Sequence, residues 1–274
     1  MRVVIEQWKY IIKNLWFVLP FAVVPAVFLS LSVDFEAVAV VAKSLFAGGA
    51  FELEFSQIFR AWSFFRTDSF VGILYSIFAV VCLIFFSALL LSFVEKHMRI
   101  GKRSFSGIMA QMENHIFVYI GFVVFLLVCY EILVLVLSAV LYVLSHIKSP
   151  TAARTLFALL SLAFISALLY LVTIVYLWLP CKQHTGLKTY GAFLYSYSLM
   201  VGVRWKLYLS MFMTYMPCFL VLFGSVFGPL WISRILAIIL FACAYLSFCV
   251  RMETLYFETD QIDREDLLRS YMEL

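Results

Sequence analysis

The chain has 274 residues, of which 65% are hydrophobic and only 13% are charged, and its formal net charge is +4. Soluble domains carry about 45–50% apolar and about 25% charged residues. A chain of this composition cannot cover its apolar surface with its own polar groups, so lipid must cover it. The composition therefore predicts a polytopic membrane protein and leaves no room in these residues for a soluble catalytic domain.

Six apolar stretches follow one another, and each is long enough to cross about 30 Å of hydrocarbon as a helix. They cover residues 14–33, 70–94, 116–144, 155–179, 207–227 and 230–250. We therefore predict an all-α polytopic membrane protein with six transmembrane helices. A single transmembrane domain, residues 1–254, is expected to precede an acidic cytoplasmic tail, residues 255–274.

The basic residues are distributed unevenly over the connections between these stretches. If the N-terminus is cytoplasmic, the cytoplasmic connections hold most of the 20 lysines and arginines, including those of two basic linkers. Cytoplasmic connections of membrane proteins carry such an excess of positive charge. The distribution therefore predicts that both termini are cytoplasmic.

The two basic linkers resemble each other, since GKRSF begins at Gly101 and GLKTY begins at Gly186. Ser104 and Thr189 are suitable N-caps, and apolar residues follow each of them with the spacing of an amphipathic helix. Such helices, beside basic residues, are expected to lie in the cytoplasmic membrane interface. The two stripes comprise Phe105, Ile108, Met109, Met112 and Ile116, and Tyr190, Phe193, Leu194, Tyr197 and Val201. A third stripe near the N-terminus comprises Val4, Trp8, Ile11 and Ile12.

The longest external connection covers residues 34–69. The segment EAVAVVAKSLFA, residues 36–47, predicts one short amphipathic helix that ends before Gly48 and Gly49. The stripe formed by Phe55, Ile58, Phe59 and Trp62 predicts a second. The segment is interpreted either as a lid over a central cavity or as an anchor on the membrane surface, where aromatic rings settle.

The last 20 residues change in character, because acidic residues outnumber basic ones there. An acidic helix is repelled by the anionic inner leaflet. The tail is therefore expected to face the cytosol, where it either packs on the chain's own basic loops or docks a partner.

Two segments resemble those of a known family. The stretch SYSLMVGVRWKLYLSMF, residues 196–212, is similar to a recurring Ser-, Met-, Gly- and Trp-Lys-containing stretch, and VEKHMRIGKRSFSGI, residues 94–108, resembles the first basic linker. The family comprises uncharacterised six-helix bacterial integral membrane proteins grouped with the membrane domain of glycerophosphoryl diester phosphodiesterases. The resemblance covers about residues 70–250. It implies a bundle of helical hairpins in a bacterial inner membrane, with no established activity.

Glu131 is the one carboxylate near the centre of the third stretch. An ionised carboxylate at that depth costs several kcal/mol unless it is paired or solvated. Arg234, in the sixth stretch, would reach it if the helices tilt, or would extend to the outer interface instead. Glu131 is therefore either a structural hydrogen-bonding group between helices or, with Arg234, part of a substrate-binding cavity.

Five basic residues of the linkers are candidates for contact with lipid headgroups or a partner, although the positive-inside rule alone also explains them. They are Arg99, Lys102, Arg103, Lys182 and Lys188.

The six cysteines contain no CxxC pair and form no cluster with histidines at metal spacing. The sequence also contains no HExxH, GxSxG or Walker motif. No catalytic residue, metal site or cofactor is predicted.

Two functional hypotheses follow. The first is a non-enzymatic scaffold or accessory subunit of the bacterial inner membrane, which would dock a partner, for example the ATPase of a permease, through the interfacial helices and the tail. The alternative is an autonomous transporter of a lipid or small amphiphile that uses Glu131 in a midplane cavity. Membrane lipids are expected partners in both cases, and nucleic acid in neither.

Overall fold

The computed structural model describes residues 2–46 and 51–267, and within these ranges it contains eleven helices and no strand. This confirms the all-α prediction. The helices are α1 (Arg2–Lys13), α2 (Leu15–Ser32), α3 (Phe35–Phe46), α4 (Phe55–Trp62), α5 (Phe70–Ile100), α6 (Ile108–Ser145), α7 (Pro150–Val175), α8 (Trp178–Thr185), α9 (Thr189–Leu199), α10 (Arg204–Ser225) and α11 (Leu230–Thr259).

Six segments of the described chain are helical, long and apolar enough to cross a membrane, and they coincide with the six predicted stretches. Their outer surfaces are apolar, as the exposed Phe70, Phe117 and Val143 illustrate. Burial within the protein differs among them: 50% of the most apolar window of the last segment is buried, but only 6% of the corresponding window in Pro150–Thr185. The segment containing α7 therefore has few completely buried residues.

The bundle is built around α2, α5 and α11, which pack against one another. Next to this centre, α6 lies against α5, α7 against α6, and α10 against both α7 and α11. The N-terminal helix α1 packs on α11, and Arg264 pairs with Glu6 at 3.4 Å. We call the end that holds α1, α8 and residues 251–267 the terminal end, and the opposite end, which holds α3 and α4, the distal end.

The three predicted interfacial helices, one near the N-terminus and one after each basic linker, are only partly observed. The stretches before α2 and α10 form separate short helices, α1 and α9, but α6 runs without a break from Ile108 to Ser145. Gly107, with φ of 74°, occupies the N-cap of α6, and Ser104 lies in the loop. The prediction of a separate first interfacial helix is therefore wrong, because its apolar residues continue in phase into the span and nothing interrupts the helix. Thr189 is the first residue of α9 and follows its N-cap, Lys188.

The buried face of α1 also differs from the predicted stripe. Ile11 is buried and Trp8 packs against the core, but Ile12 is 71% exposed and the polar Gln7 is completely buried. The predicted domain boundary after residue 254 falls inside α11, where Leu255, Tyr256 and Phe257 are also buried. Residues 268–274 of the predicted tail lie outside the described residues.

Gln7 of α1 is buried because it binds the buried Arg251 of α11. Arg251 of α11 is completely buried and donates hydrogen bonds to Gln7 Oε1 at 2.7 Å, Thr214 Oγ at 3.0 Å and Ser247 Oγ at 3.2 Å. Gln7 Nε2 donates in turn to Ser247 Oγ at 2.7 Å. A buried charge requires such partners, so these polar groups join α1, α10 and α11.

We expect Gln7→Leu to lower the free energy of unfolding by about 2 kcal/mol, because Arg251 would lose an acceptor in a buried site. Unfolding in a mild detergent, followed by circular dichroism, measures the change. Lys9→Leu is the matched control, since Lys9 is an exposed polar residue of the same helix. Equal stability of the two variants would contradict the structural role of Gln7.

Candidate functional site

A cap formed by residues 34–46 and 51–69 covers the distal end of the bundle; we call it the distal cap. Its two helices, α3 and α4, confirm the prediction of two short helices, while Gly48 and Gly49 lie outside the described residues. Ile58 is completely buried in a cluster with Leu141 of α6 and Phe157 of α7. The segment therefore packs on the bundle.

One buried ion pair holds the two helices of the cap together. Asp34 accepts a hydrogen bond from the backbone N–H of Ala37 at 3.0 Å, which caps α3, and it pairs with Arg60 of α4 at 2.6 Å. The Asp34 side chain is almost completely buried, whereas that of Arg60 is partly exposed. Since α3 and α4 share this pair, they are expected to move as one unit.

The distal cap enters the bundle deeply. Ser145 Oγ, in the last turn of α6, donates to the Leu53 carbonyl oxygen at 3.4 Å, and Glu131, fourteen positions earlier on α6, accepts from the backbone N–H of Phe64 at 2.8 Å. At 1.5 Å per residue, these contacts are separated by about 21 Å along the helix. The chain from Leu53 to Phe64 therefore follows α6 from its distal end to the middle of its span.

Glu131 accepts hydrogen bonds from the turn that follows α4, at residues 63 and 64. Its carboxylate oxygens lie 3.1 and 3.3 Å from the donating Ser63 hydroxyl, in addition to the bond from the Phe64 N–H. The neighbouring Tyr130 hydroxyl donates to the Trp62 carbonyl oxygen. Non-helical backbone at membrane depth requires such partners inside the protein. The carboxylate thus joins a span to a buried turn.

Arg234 is not brought together with Glu131, and the two side chains form no ion pair within the described structure. Its backbone oxygen accepts from Ser30 of α2 at 3.0 Å, and its Nε is buried without a hydrogen-bond partner. Arg234 thus lies beside α2, while Glu131 faces the distal cap.

A cavity of about 730 Å³ lies beneath the distal cap; we call it the distal cavity. Its walls are mainly apolar and come mostly from the cap, α7 and α10, with smaller contributions from α2, α6 and α11. On α7 the lining extends from Arg154 to Leu168, which corresponds to about 21 Å. Asp34, Arg154 and Ser161 are among its polar lining residues.

A second cavity, of about 330 Å³, lies between α5, α6 and α11; we call it the central cavity. On α6 its lining extends from Tyr130 to Tyr119, about 17 Å along the helix. Phe64 and Tyr130 line both cavities. The two cavities therefore adjoin one another at these two aromatic side chains.

Polar side chains lie beyond the far end of the central cavity. The Tyr119 hydroxyl donates to Gln183 Oε1 at 2.9 Å, and the next residue, His184, lies 3.3 Å from a carboxylate oxygen of Glu253. Glu95 lies 4.0 Å from the same histidine. We call this group the terminal polar layer.

Sequence reasoning missed the terminal polar layer, because its members come from four different helices, α5, α6, α8 and α11. The one available signal is that Glu95 follows a long apolar run directly and that Glu253 lies two residues after Arg251, just beyond another such run. That signal does not distinguish a buried carboxylate from one at the membrane surface.

The five predicted headgroup-contact residues all lie at the terminal end. Arg99 pairs with Glu95 at 3.3 Å, Arg103 approaches the Lys13 carbonyl oxygen at 3.5 Å, and Lys182 donates to the Leu187 carbonyl oxygen. The remaining two, Lys102 and Lys188, are exposed. They supply a positive surface, and their role in headgroup or partner contact stays a prediction.

Comparisons with protein-family models, with curated proteins and with solved structures gave no match to this chain. The family resemblance noted above therefore stays a prediction, and the site is interpreted from its own geometry.

We expect Glu131→Ala to loosen the turn after α4, because the Phe64 N–H and the Ser63 hydroxyl would lose their acceptor at a cost of about 1–3 kcal/mol. Hydrogen–deuterium exchange of residues 55–69 should increase. Glu131→Gln retains a carbonyl acceptor and should stay close to the parent protein, as should Glu113→Ala at an exposed site of the same helix. Unchanged exchange in Glu131→Ala would show that the bond does not hold the turn.

Gly72 lies in the first turn of α5, where the loop that connects the distal cap to this helix passes close to its backbone. Arg66 donates to both carboxylate oxygens of Asp68, at 2.9 and 2.7 Å, which lowers the pKa of Asp68. A Cβ at Gly72 would lie 2.5 Å from Asp68 Oδ1 and 2.9 Å from the Arg66 carbonyl oxygen. A side chain at this position would therefore displace the loop.

Gly72→Ala and Gly121→Ala are expected to have opposite effects. Gly121, in α6, has no atom within 4 Å of its added Cβ, so alanine should stabilise the helix by up to about 1 kcal/mol. At Gly72 the clash should outweigh this gain, since overpacking costs about 1–3 kcal/mol. Thermal unfolding of both variants in one detergent tests this; stabilisation by Gly72→Ala would show that the loop yields freely.

Proposed function

We propose that the protein is an autonomous membrane carrier that binds a lipid or small amphiphile inside its helix bundle. The observation that supports this most directly is the pair of apolar cavities in series, which together follow α7 and α6 through most of the bundle. The proposal corresponds to the second hypothesis from the sequence, with the binding site moved from Glu131 itself to the cavities beside it.

The shape of the distal cavity suits a single alkyl chain. Its volume of about 730 Å³ lies within the range of about 300–1,000 Å³ of small-molecule sites. Dividing this volume by the length of about 21 Å gives a mean cross-section of about 35 Å². The cavity is elongated along α7, so a molecule with an extended alkyl chain suits its shape.

Polar groups lie where the ends of an amphiphile would be placed. Arg154 and the ion-paired Asp34 line the distal cavity and lie near the distal ends of α7 and α2. The headgroup is expected there, with the apolar chain directed toward Phe64. The terminal polar layer separates the other end of the path from the terminal surface, as an alternating-access carrier requires when it is closed on that side.

The scaffold hypothesis receives less support from the described residues. The tail up to Leu267 packs on its own chain, since Tyr195 donates to Asp260 and Arg264 pairs with Glu6. The hydrogen bond to Asp260 raises the pKa of Tyr195 to about 12. A partner such as an ATPase would have to displace these contacts or bind elsewhere on the terminal end.

The carrier proposal also includes a membrane and an orientation of the bundle within it. The positive-inside rule favours a cytoplasmic terminal end, and the family resemblance favours a bacterial inner membrane. The distal cap would then face the outer side of that membrane.

Native mass spectrometry of the protein released from its own membranes tests the proposal. We expect a single-chain amphiphile bound at a ratio of one to one. Ala158→Trp places an indole in the distal cavity and should weaken binding about tenfold or more, as expected for overpacking. Proteoliposomes that contain a fluorescent single-chain lipid then test movement between leaflets.

Leu159→Trp is the control, because Leu159 is the next residue of α7 and is 57% exposed on its surface, outside the cavity lining. It should bind like the parent protein. An empty parent protein, or equal binding by the two tryptophan variants, would overturn the proposed site.

A further inference from the structure

Phe64 occupies a particular position in the path, because it lines both the distal and the central cavity. We infer that Phe64, with Tyr130, sets the maximum length of the alkyl chain that the protein binds. The inference rests on the proposed function and adds a specificity-determining residue to it. The substrate class is a single-chain amphiphile whose chain ends against these two aromatic side chains.

The backbone of Phe64 is held independently of its ring. Its N–H donates to Glu131 Oε1 at 2.8 Å, and the preceding Ser63 hydroxyl donates to the same carboxylate. Phe65, which lines neither cavity, packs edge-on against the Phe64 ring with a centroid distance of 5.6 Å. Truncation of the Phe64 side chain therefore removes the barrier and leaves the bonds to Glu131 in place.

Tyr130 is fixed in a similar way. Its hydroxyl donates to the carbonyl oxygen of Trp62, two residues before Phe64 in the cap. Trp62 in turn stacks on Phe219 of α10, with ring centroids 5.9 Å apart. The two aromatic rings between the cavities are thus held from α6 and from the cap, and they form a defined barrier.

The central cavity behind this barrier is suited to the end of an alkyl chain. Its lining is nearly all apolar and includes Leu83, Leu126 and Met252. Its volume of about 330 Å³ would enlarge the distal cavity of about 730 Å³ by almost half. Along α6 it adds about 17 Å, enough for many further methylene groups.

The experiment measures binding of a homologous series of saturated fatty acids, from octanoate to hexacosanoate, by the full chain in lipid nanodiscs, and each affinity is referred to the free fatty acid concentration in the aqueous phase. In the parent protein affinity should rise with chain length and then level off. Each methylene that enters an apolar site strengthens binding about fourfold. In Phe64→Ala this rise should continue to longer chains, and Phe64→Leu should give an intermediate limit.

Two further variants test where the additional length is accommodated. Leu126→Trp, combined with Phe64→Ala, fills the central cavity and should restore the parent limit. Val128→Trp in the same background is the matched control, because Val128 is exposed on the surface of α6. Phe65→Ala alone should leave the limit unchanged.

The outcomes separate the inference from the proposed function. If the parent protein binds the series and Phe64→Ala shows the same limit, the inference is wrong and the proposed function stands. If no member binds to the parent protein or to any variant, the proposed function fails and the inference fails with it. A limit that moves in Phe64→Ala and returns with Leu126→Trp, but not with Val128→Trp, supports both.

Discussion

The distal end of this protein depends on one constraint, that a backbone group at membrane depth must find its hydrogen-bond partner inside the protein. Helices meet the constraint by themselves, but the turn at residues 62–64 does not. Two neighbouring side chains of α6 meet it instead: the Tyr130 hydroxyl donates to a carbonyl oxygen, and Glu131 accepts from an N–H group and a hydroxyl. Because these partners are present, an irregular segment can separate two apolar cavities.

The two ends of the bundle use polar groups differently. At the terminal end Arg251 and Glu253 are completely buried and bind side chains from neighbouring helices. At the distal end the polar contacts join the cap to the bundle, and apolar space remains beneath it. The terminal end is thus tightly joined and the distal end more open, an arrangement that the proposed carrier function would use to admit its ligand.

Much of the fold could be predicted from the sequence, because span length and composition are local properties. The six spans and the two cap helices follow from apolar runs and their spacing. The partners of Glu131 could not be predicted, since they depend on how far the cap descends along α6. Gln7 was missed because its burial depends on Arg251, 244 positions later in the chain. The continuous start of α6 was missed because a stripe at helical spacing does not show where a helix begins.

The exposure of α7 has a consequence for how any occupant is supplied. This helix lines the distal cavity, and few residues of its span are completely buried within the protein. For a molecule that enters past α7, the governing concentration is its mole fraction in the bilayer, not its solubility in water. Such a molecule also arrives already aligned with the membrane normal, so the search for the site takes place in two dimensions. Weak intrinsic affinity would then suffice for high occupancy, because the bilayer has already concentrated and oriented the ligand.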